Sequence, residues 1–266
     1  MRVISILYHD VVRSGAFDSS GFLSPGANRY KLDAKEFDRH LKAIASQVRR
    51  KPVTLSEFPP ELADLSLLLT FDDGGASAHS VIADALENQG WRGHFFITTN
   101  FIDAPGFLTK PQIHDLRKRG HVIGSHSCSH PLPISNCSPS ELEKEWSESV
   151  KVLEDILGES INVASIPGGF YSRQVAEAAA NASVRVLFTS EPTVKSQQMN
   201  DMLILGRYGI WRGTSSHAAA GLAAGRWHLR FQQFAYWKAK GALKSIGATA
   251  YVKLRNRLLG SAGEAK

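Results

Sequence analysis

Only two cysteines, Cys128 and Cys137, occur in the 266 residues. That is too few for a disulfide framework, and both are expected as free thiols in a reducing compartment. No stretch of about 18 apolar residues runs uninterrupted, which excludes a membrane-spanning helix of ordinary length. The apolar opening from Val3 to Leu7 is too short for the core of a signal peptide and lacks a small-residue cleavage site. It reads as the first strand of a folded domain, and the chain is expected to stay in the cytoplasm. No internal repeat and no long linker is visible, only a Gly/Ser-containing loop near residues 14–27. Acidic residues are scarce in one place. Residues 226–266 hold nine Lys or Arg against Glu264 alone, whereas the remaining 225 residues carry 22 basic and 24 acidic side chains. The net charge of +6 therefore belongs to the C-terminal segment.

The rest of the chain alternates strand and helix signals. Val3 to Tyr8 reads as a strand, and residues 33–50 place Phe37, Leu41, Ile44 and Val48 on one helical face. Leu67 to Phe71 is a continuous apolar run emptying into Asp-Asp-Gly-Gly, the mark of a parallel strand buried on both faces. A helix over 78–89, a strand over 93–98, a helix over 109–119 and a strand over 122–125 follow. Ser138-Pro139-Ser140-Glu141 is a capping box with proline in the first turn. Leu142, Trp146, Val150, Leu153 and Leu157 then mark the buried face of a helix ended by Gly158. Strands are expected at 161–166, 184–189 and 203–208, with a helix over 174–182. Repeated strand–helix units predict a parallel sheet, closed or open, with its chemistry at the C-terminal ends of the strands.

Three strand ends carry reactive groups. Asp72 and Asp73 follow an apolar strand, and adjacent residues there point in different directions, so one carboxylate can bind a metal while the other accepts a proton. A bare Asp-Asp-Gly turn capping the next helix has the same sequence. His126 and His130 lie four apart in a loop after a strand, a spacing common among zinc ligands, with Cys128 between them either as a further ligand or as packing. Pro167-Gly168-Gly169 after a third strand lets main chain approach a ligand closely and frees N–H groups for an oxyanion. A sharp left-handed turn has the same composition.

Thr70-Phe71-Asp72-Asp73-Gly74 and His126-Ser127-Cys128-Ser129-His130, in this order, resemble the first two motifs of the polysaccharide deacetylase (NodB-homology) family, carbohydrate esterase family four. Tyr8-His9-Asp10 is a usual opening there, and the resemblance spans roughly residues 66–210. It implies an α/β fold, a distorted (β/α) barrel of about seven parallel strands, over residues 1–225, followed by a basic helical extension over 226–266. It also implies Asp72 as catalytic base and Asp73, His126 and His130 as ligands of a divalent metal, zinc by default with Co²⁺, Ni²⁺ or Fe²⁺ fitting the same donors. The loop of Pro167, Gly168, Gly169 and Tyr171 would then face the substrate oxyanion. Two departures stand out. Ser165 occupies the place of an arginine that pairs with the catalytic Asp, and the late strand 203–208 lacks the family's acid histidine. Arg207 is the candidate to supply the charge, and His9 or His217 the candidate acid.

The expected activity is N-deacetylation of an acetylated sugar, free or lipid-linked, in surface polysaccharide, lipopolysaccharide or glycolipid biosynthesis. A non-catalytic sugar- or protein-binding barrel and a deformylase or other amidase are the rivals. From 226 to 257, basic residues interleave with Trp227, Phe231, Phe234, Tyr236, Trp237 and Tyr251. This composition fits peripheral contact with an anionic membrane or simple packing on the barrel. It is not expected to bind nucleic acid, because no recognition motif accompanies it.

Overall fold

The structure, a computed structural model, describes residues 2–55 and 65–245. Its main strands are β1 (Val3–Tyr8), β4 (Ser66–Phe71), β5 (His94–Ile97), β6 (Val122–Ser125), β7 (Val163–Ser165), β8 (Val186–Phe188), β9 (Gln197–Met199), β10 (Met202–Leu205) and β11 (Tyr208–Gly209). Two short strands, β2 (Val11–Val12) and β3 (Leu32–Asp33), pair with each other beside the barrel mouth. The sheet order is β11-β1-β4-β5-β6-β7-β8-β10-β9, parallel except for the β10–β9 pair. Closure comes from one kinked stretch of chain. β10 pairs with β8, and after Gly206 and Arg207 the same stretch pairs as β11 with β1. Gly206 permits the bend, since a Cβ there would run into the Glu191 carbonyl and Thr193. The result is a distorted seven-stranded (β/α) barrel, in which the expected single strand over 203–208 is split by the closing kink.

Period-two alternation divides each strand between two apolar environments. Ile4, Ile6, Tyr8, Leu67, Leu69, Phe71, Phe95, Ile123 and Leu187 face outward into the core beneath the helices. Val3, Leu68, Phe96, Val163, Phe188 and Leu205 fill the barrel interior. Both faces are thus buried, which accounts for the uninterrupted hydrophobic runs. The inward series becomes polar toward the C-terminal end. Leu68 is followed by Thr70 and Asp72, and Val163 by Ser165, all buried.

The helical layer comprises α1 (Pro25–Asn28), α2 (Ala34–Gln47), α3 (Asp84–Glu87), α4 (Lys110–Lys118), α5 (Pro139–Leu157), α6 (Arg173–Asn181), α7 (Ser216–Ala223) and α8 (Trp227–Ser245). The segment expected as one helix over 78–89 winds first as a π-helical turn, Ala78–Ala83, and then as α3. Such a turn often accompanies a functional loop, and this one follows the Asp72-Asp73 corner directly. The capping box of α5 forms through both Ser138 and Glu141, and Gly158 ends the helix at φ 68°. Gly225, at φ 74°, makes the turn between α7 and α8, where the expected boundary between barrel and extension falls. Residues 246–266, which include the rest of the expected basic extension, lie outside the described residues.

Candidate active site

Asp72 ends the inward series of β4, and its N–H is held by the Tyr8 carbonyl at 3.1 Å. The next residue departs from the strand. Asp73 adopts φ 78° and Gly74 φ 80°, a left-handed pair that turns the second carboxylate toward the loop after β6. Ser127 at φ 63° and His130 at φ 58° are likewise left-handed. Three non-glycine residues in this sparsely populated region, gathered at one end of the barrel, are the kind of stored strain that surrounding contacts must hold in place.

Those contacts are specific. Ser125 Oγ accepts the Ser127 N–H at 3.1 Å and bonds Ser149 Oγ of α5 at 2.7 Å, and Ser127 Oγ accepts the His130 N–H at 3.2 Å. One turn before Ser149, Glu145 accepts the Cys128 and Ser129 N–H groups, each at 2.9 Å, and the Ser129 hydroxyl at 2.5 Å. α5 thereby clamps the whole histidine loop. Cys128 itself is buried, its thiol near the Lys144 carbonyl, and burial pushes its pKa up to about 11. Its sulfur is not among the converging ligand atoms of Asp73, His126 and His130, so the thiol packs beside them.

Asp73, His126 and His130 each present one ligand atom to a common point, all within 4.8 Å of one another. His126 Nε2 lies 3.5 Å and His130 Nε2 3.6 Å from Asp73 Oδ1. Tetrahedral donors at about 2.0–2.1 Å from a zinc ion would be about 3.4 Å apart, so the triad has the right dimensions. The ring orientation agrees. His126 Nδ1 lies 2.9 Å from the Ser165 carbonyl, an acceptor only, so Nδ1 carries the proton and Nε2 offers a lone pair to the cluster. Burial pushes His130 down to about 4, which keeps it neutral as a ligand must be. For His126, burial is outweighed by the Asp72 and Asp73 charges, which raise it. For Asp73, burial is outweighed by its histidine neighbours, first of them His126, and the carboxyl lies well below the ordinary range. The donor set thus fits a divalent cation, with the metal's identity left open.

Asp72 stands beside this triad, 3.9 Å from His126 Nε2, with a different partner. Arg207 meets it in a fork, Nη1 to Oδ1 at 2.7 Å and Nη2 to Oδ2 at 2.9 Å. Ser165 Oγ lies between them, donating to Asp72 Oδ2 at 3.1 Å and accepting from Arg207 Nη2 at 2.7 Å. Arg207 Nε donates to the Thr189 carbonyl at 3.0 Å, and the guanidinium is flanked by the Phe96 and Phe188 rings at 5.8 and 5.7 Å. Burial would raise the Asp72 carboxyl, but the Arg207 charge outweighs it and keeps Asp72 ionised. The closing kink of the barrel therefore delivers a cation to the spot where the end of β7 has only a serine.

His9 follows β1 at the same end, its ring 4.8 Å from that of Tyr30, and its Nδ1 is buried with no hydrogen-bond partner among the described residues. It stands close enough for its charge to act on Asp72, Asp73 and His130. The structure does not bring His217 into this cluster. It is exposed on α7, 3.1 Å from Arg226, because α7 belongs to the outer layer packed on α2. The loop from Pro167 to Tyr171 borders the site through Gly168, which adjoins Leu132 just past His130, while Gly169 adjoins Ser190. Gly168 and Gly169 have φ of 60° and 66°, and Tyr171 is partly exposed at the rim.

Two contributors gave no sign in the sequence, and a third, Asp10, showed only as part of the Tyr8-His9-Asp10 opening. Glu145 is an ordinary polar position beside the buried Trp146. Phe22, whose ring lies 4.9 Å from His130 and edge-on to Phe101 and Phe107, sits in the Gly/Ser-containing loop, where no periodicity marks it. Asp10 is buried, accepting from Ser20 Oγ at 2.5 Å and Ser77 Oγ at 2.7 Å. It ties the Phe22 loop to the segment after Asp73, and a Cβ on Gly21 or Gly75 would collide with its carboxylate.

Comparison with known proteins agrees with this arrangement. Residues 61–187 match the family model described as polysaccharide deacetylase. YxkH of Bacillus subtilis (strain 168), provisionally named a polysaccharide deacetylase, is 24% identical over 83% of this chain and 74% of its own length. The peptidoglycan-N-acetylglucosamine deacetylase PgdA of Listeria monocytogenes serotype 1/2a (strain 10403S) is 29% identical over 54% of this chain, which spans only 31% of that longer protein. Among solved structures, the Streptococcus pyogenes deacetylase PplD, in complex with acetate, shares the fold with a TM-score of 0.65 at 18% identity, over 81% of this chain and 95% of that one. The family model, which spans just under half of the chain, the curated relatives and the barrel agree in making residues 61–187 similar to the polysaccharide deacetylases.

Proposed function

We propose that the protein is a metal-dependent N-deacetylase that hydrolyses the acetamido group of an N-acetylated sugar. The observation that carries this reading is the pairing of two differently tuned carboxylates at one barrel end: Asp73 among two histidines, and Asp72 in the fork of Arg207. A divalent ion held by Asp73, His126 and His130 would polarise the acetyl carbonyl and make water acidic near neutral pH. The protein groups then divide the remaining work. Asp72, kept ionised by Arg207, accepts the proton of the attacking water. The Tyr171 N–H, without an intramolecular partner among the described residues, is available to the oxyanion on the substrate. His9, next to both aspartates, is the candidate to protonate the departing amine.

The finer reading places the substrate in surface polysaccharide, lipopolysaccharide or glycolipid biosynthesis in the cytoplasm, with zinc as the ion. The two unpaired thiols are consistent with a reducing compartment. The non-catalytic rival draws its motive from Ser165 and from the missing acid histidine of the late strand, and Arg207 at Asp72 answers the first of these.

The test is elemental metal analysis of wild type beside His130→Ala and Asp73→Ala, followed by acetate and formate assays on acylated sugars. About one ion per chain, lost in both variants, with acetate released by wild type alone, is the expected outcome. Wild-type protein that takes up no Zn²⁺ or Co²⁺ would defeat the proposal, and release of formate in place of acetate would convert it to a deformylase.

A further inference from the structure

Among the described residues, α8 leaves an aromatic and cationic face without a protein partner. Its inner side is formed by Leu229, Gln233, Phe234 and Trp237, all partly buried. Its outer side exposes Trp227 at 73% and Phe231 at 62%, two of the most exposed large hydrophobics among the described residues, while Tyr236 lies on the flank toward Trp211. Trp227, Phe231 and Lys238 follow one another at helical spacing along a single strip. Lys238 Nζ lies 5.5 Å from the Phe234 ring and 5.6 Å from the Trp237 ring, so the charge is carried over aromatic surface. Between Asp201 and Glu264 the sequence contains no Asp or Glu at all.

The helix has a definite relation to the active site. It starts near the N-terminal end of the strands, where Gly225 adjoins Ile4 and Leu65. By its middle it has reached the catalytic end: Gln233 Nε2 donates to the carbonyl of Gly209, the last residue of β11, at 2.8 Å, and Tyr236 stands 6.2 Å from Trp211. It then continues to Ser245. The sequence from there on adds further cations, through Lys253, Arg255 and Arg257.

We infer that the outer face of α8 docks on an anionic lipid bilayer and so holds the catalytic end of the barrel at the headgroup level. Aromatic rings paired with cations and no carboxylate are what the interfacial zone of such a bilayer accommodates. A second copy of the chain is a poor occupant, because symmetric pairing would set like charges against each other. A soluble acidic glycan would use the charge but has no need of exposed Trp227 and Phe231. Binding is read without turnover, so this inference stands apart from the deacetylase proposal.

The experiment is co-sedimentation of the full-length protein with vesicles of phosphatidylglycerol and phosphatidylcholine, beside pure phosphatidylcholine. Wild type is expected to bind the anionic vesicles, to bind less as salt rises, and to be nearly absent from the neutral ones. Trp227→Ala/Phe231→Ala should lower partitioning on the order of tenfold or more, and Lys238→Ala about fivefold. Both variants should keep the wild-type melting temperature, since the substituted side chains are exposed. Failure of wild type to bind anionic vesicles overturns the inference. So does undiminished binding by Trp227→Ala/Phe231→Ala, and equal retention of both proteins by a soluble acidic polysaccharide would assign the face to polyanions instead.

Discussion

Replacing Arg207 by methionine would remove a guanidinium that is fully buried and leave the Asp72 carboxylate, itself 6% exposed, without its counter-charge. Breaking a buried ion pair from one side costs about 3–5 kcal/mol, because the remaining charge is stranded. Here the penalty has a pH signature. In wild type the Asp72 pKa is lowered, so the pair's stabilisation is present above the unfolded-state value and is lost as pH falls through the folded-state one. In Arg207→Met, burial is left as the dominant influence and raises Asp72 above its unfolded value. The carboxylate then costs stability near neutrality and stops costing it once protonated. The gap in melting temperature between the two proteins should therefore narrow as pH is lowered from 7 toward 5.

Catalysis should report the same shift. Asp72 accepts a proton only when ionised, so the acid limb of kcat/KM against pH should move up by about 1–3 units in Arg207→Met, the range by which a neighbouring arginine shifts an aspartate. Activity lost at pH 7 should return in part at higher pH. Moving the charge back to β7, in Ser165→Arg/Arg207→Ser, should recover some of that loss, since Ser165 Oγ already touches both partners. An Arg207→Met enzyme with an unshifted profile, whatever its overall rate, would refute the electrostatic role assigned to Arg207.

Glu145→Gln should weaken Zn²⁺ binding by about 10–100-fold in titration calorimetry, the usual effect of loosening a group that orients a ligand. It should do so with little change in the melting temperature of the metal-free protein, and unchanged affinity would show that the histidine loop holds itself. His94 and His121 predict an acid-sensitive fold. Each is buried and accepts a main-chain N–H on one ring nitrogen, from Leu55 at 3.0 Å and from Gly93 at 3.1 Å, and burial pushes both down to about 4. Being neutral in the fold, they contribute stability above the unfolded value near 6.5 that is lost as pH falls toward 4, about 3 kcal/mol each. A urea midpoint that stays constant from pH 7 to about 4.5 would contradict this.

What the sequence made legible, and what it hid, follows from the range of the interactions. β1, β6 and the α5 capping box are local patterns, and each falls where period, run length or cap chemistry places it. The two motifs flagged by their own residues, Asp72-Asp73 and His126 with His130, are local in the same sense. Their convergence is not local, since it depends on which strands the barrel makes neighbours. The arginine at Asp72 illustrates the difference. Ser165 marks a gap in a motif and Arg207 is the candidate to fill it, but its reach to Asp72 depends on the pairing of β10 with β8 and of β11 with β1, which carries Arg207 across the barrel mouth. Glu145 is hidden for a related reason. On α5 it occupies a position that amphipathic spacing reads as solvent-facing, and its work is done on backbone N–H groups, which carry no sequence signature. A site built from strained loops therefore announces its ligands in sequence but conceals the contacts that hold them, and substitutions at Arg207 and Glu145 are where that concealed half becomes measurable.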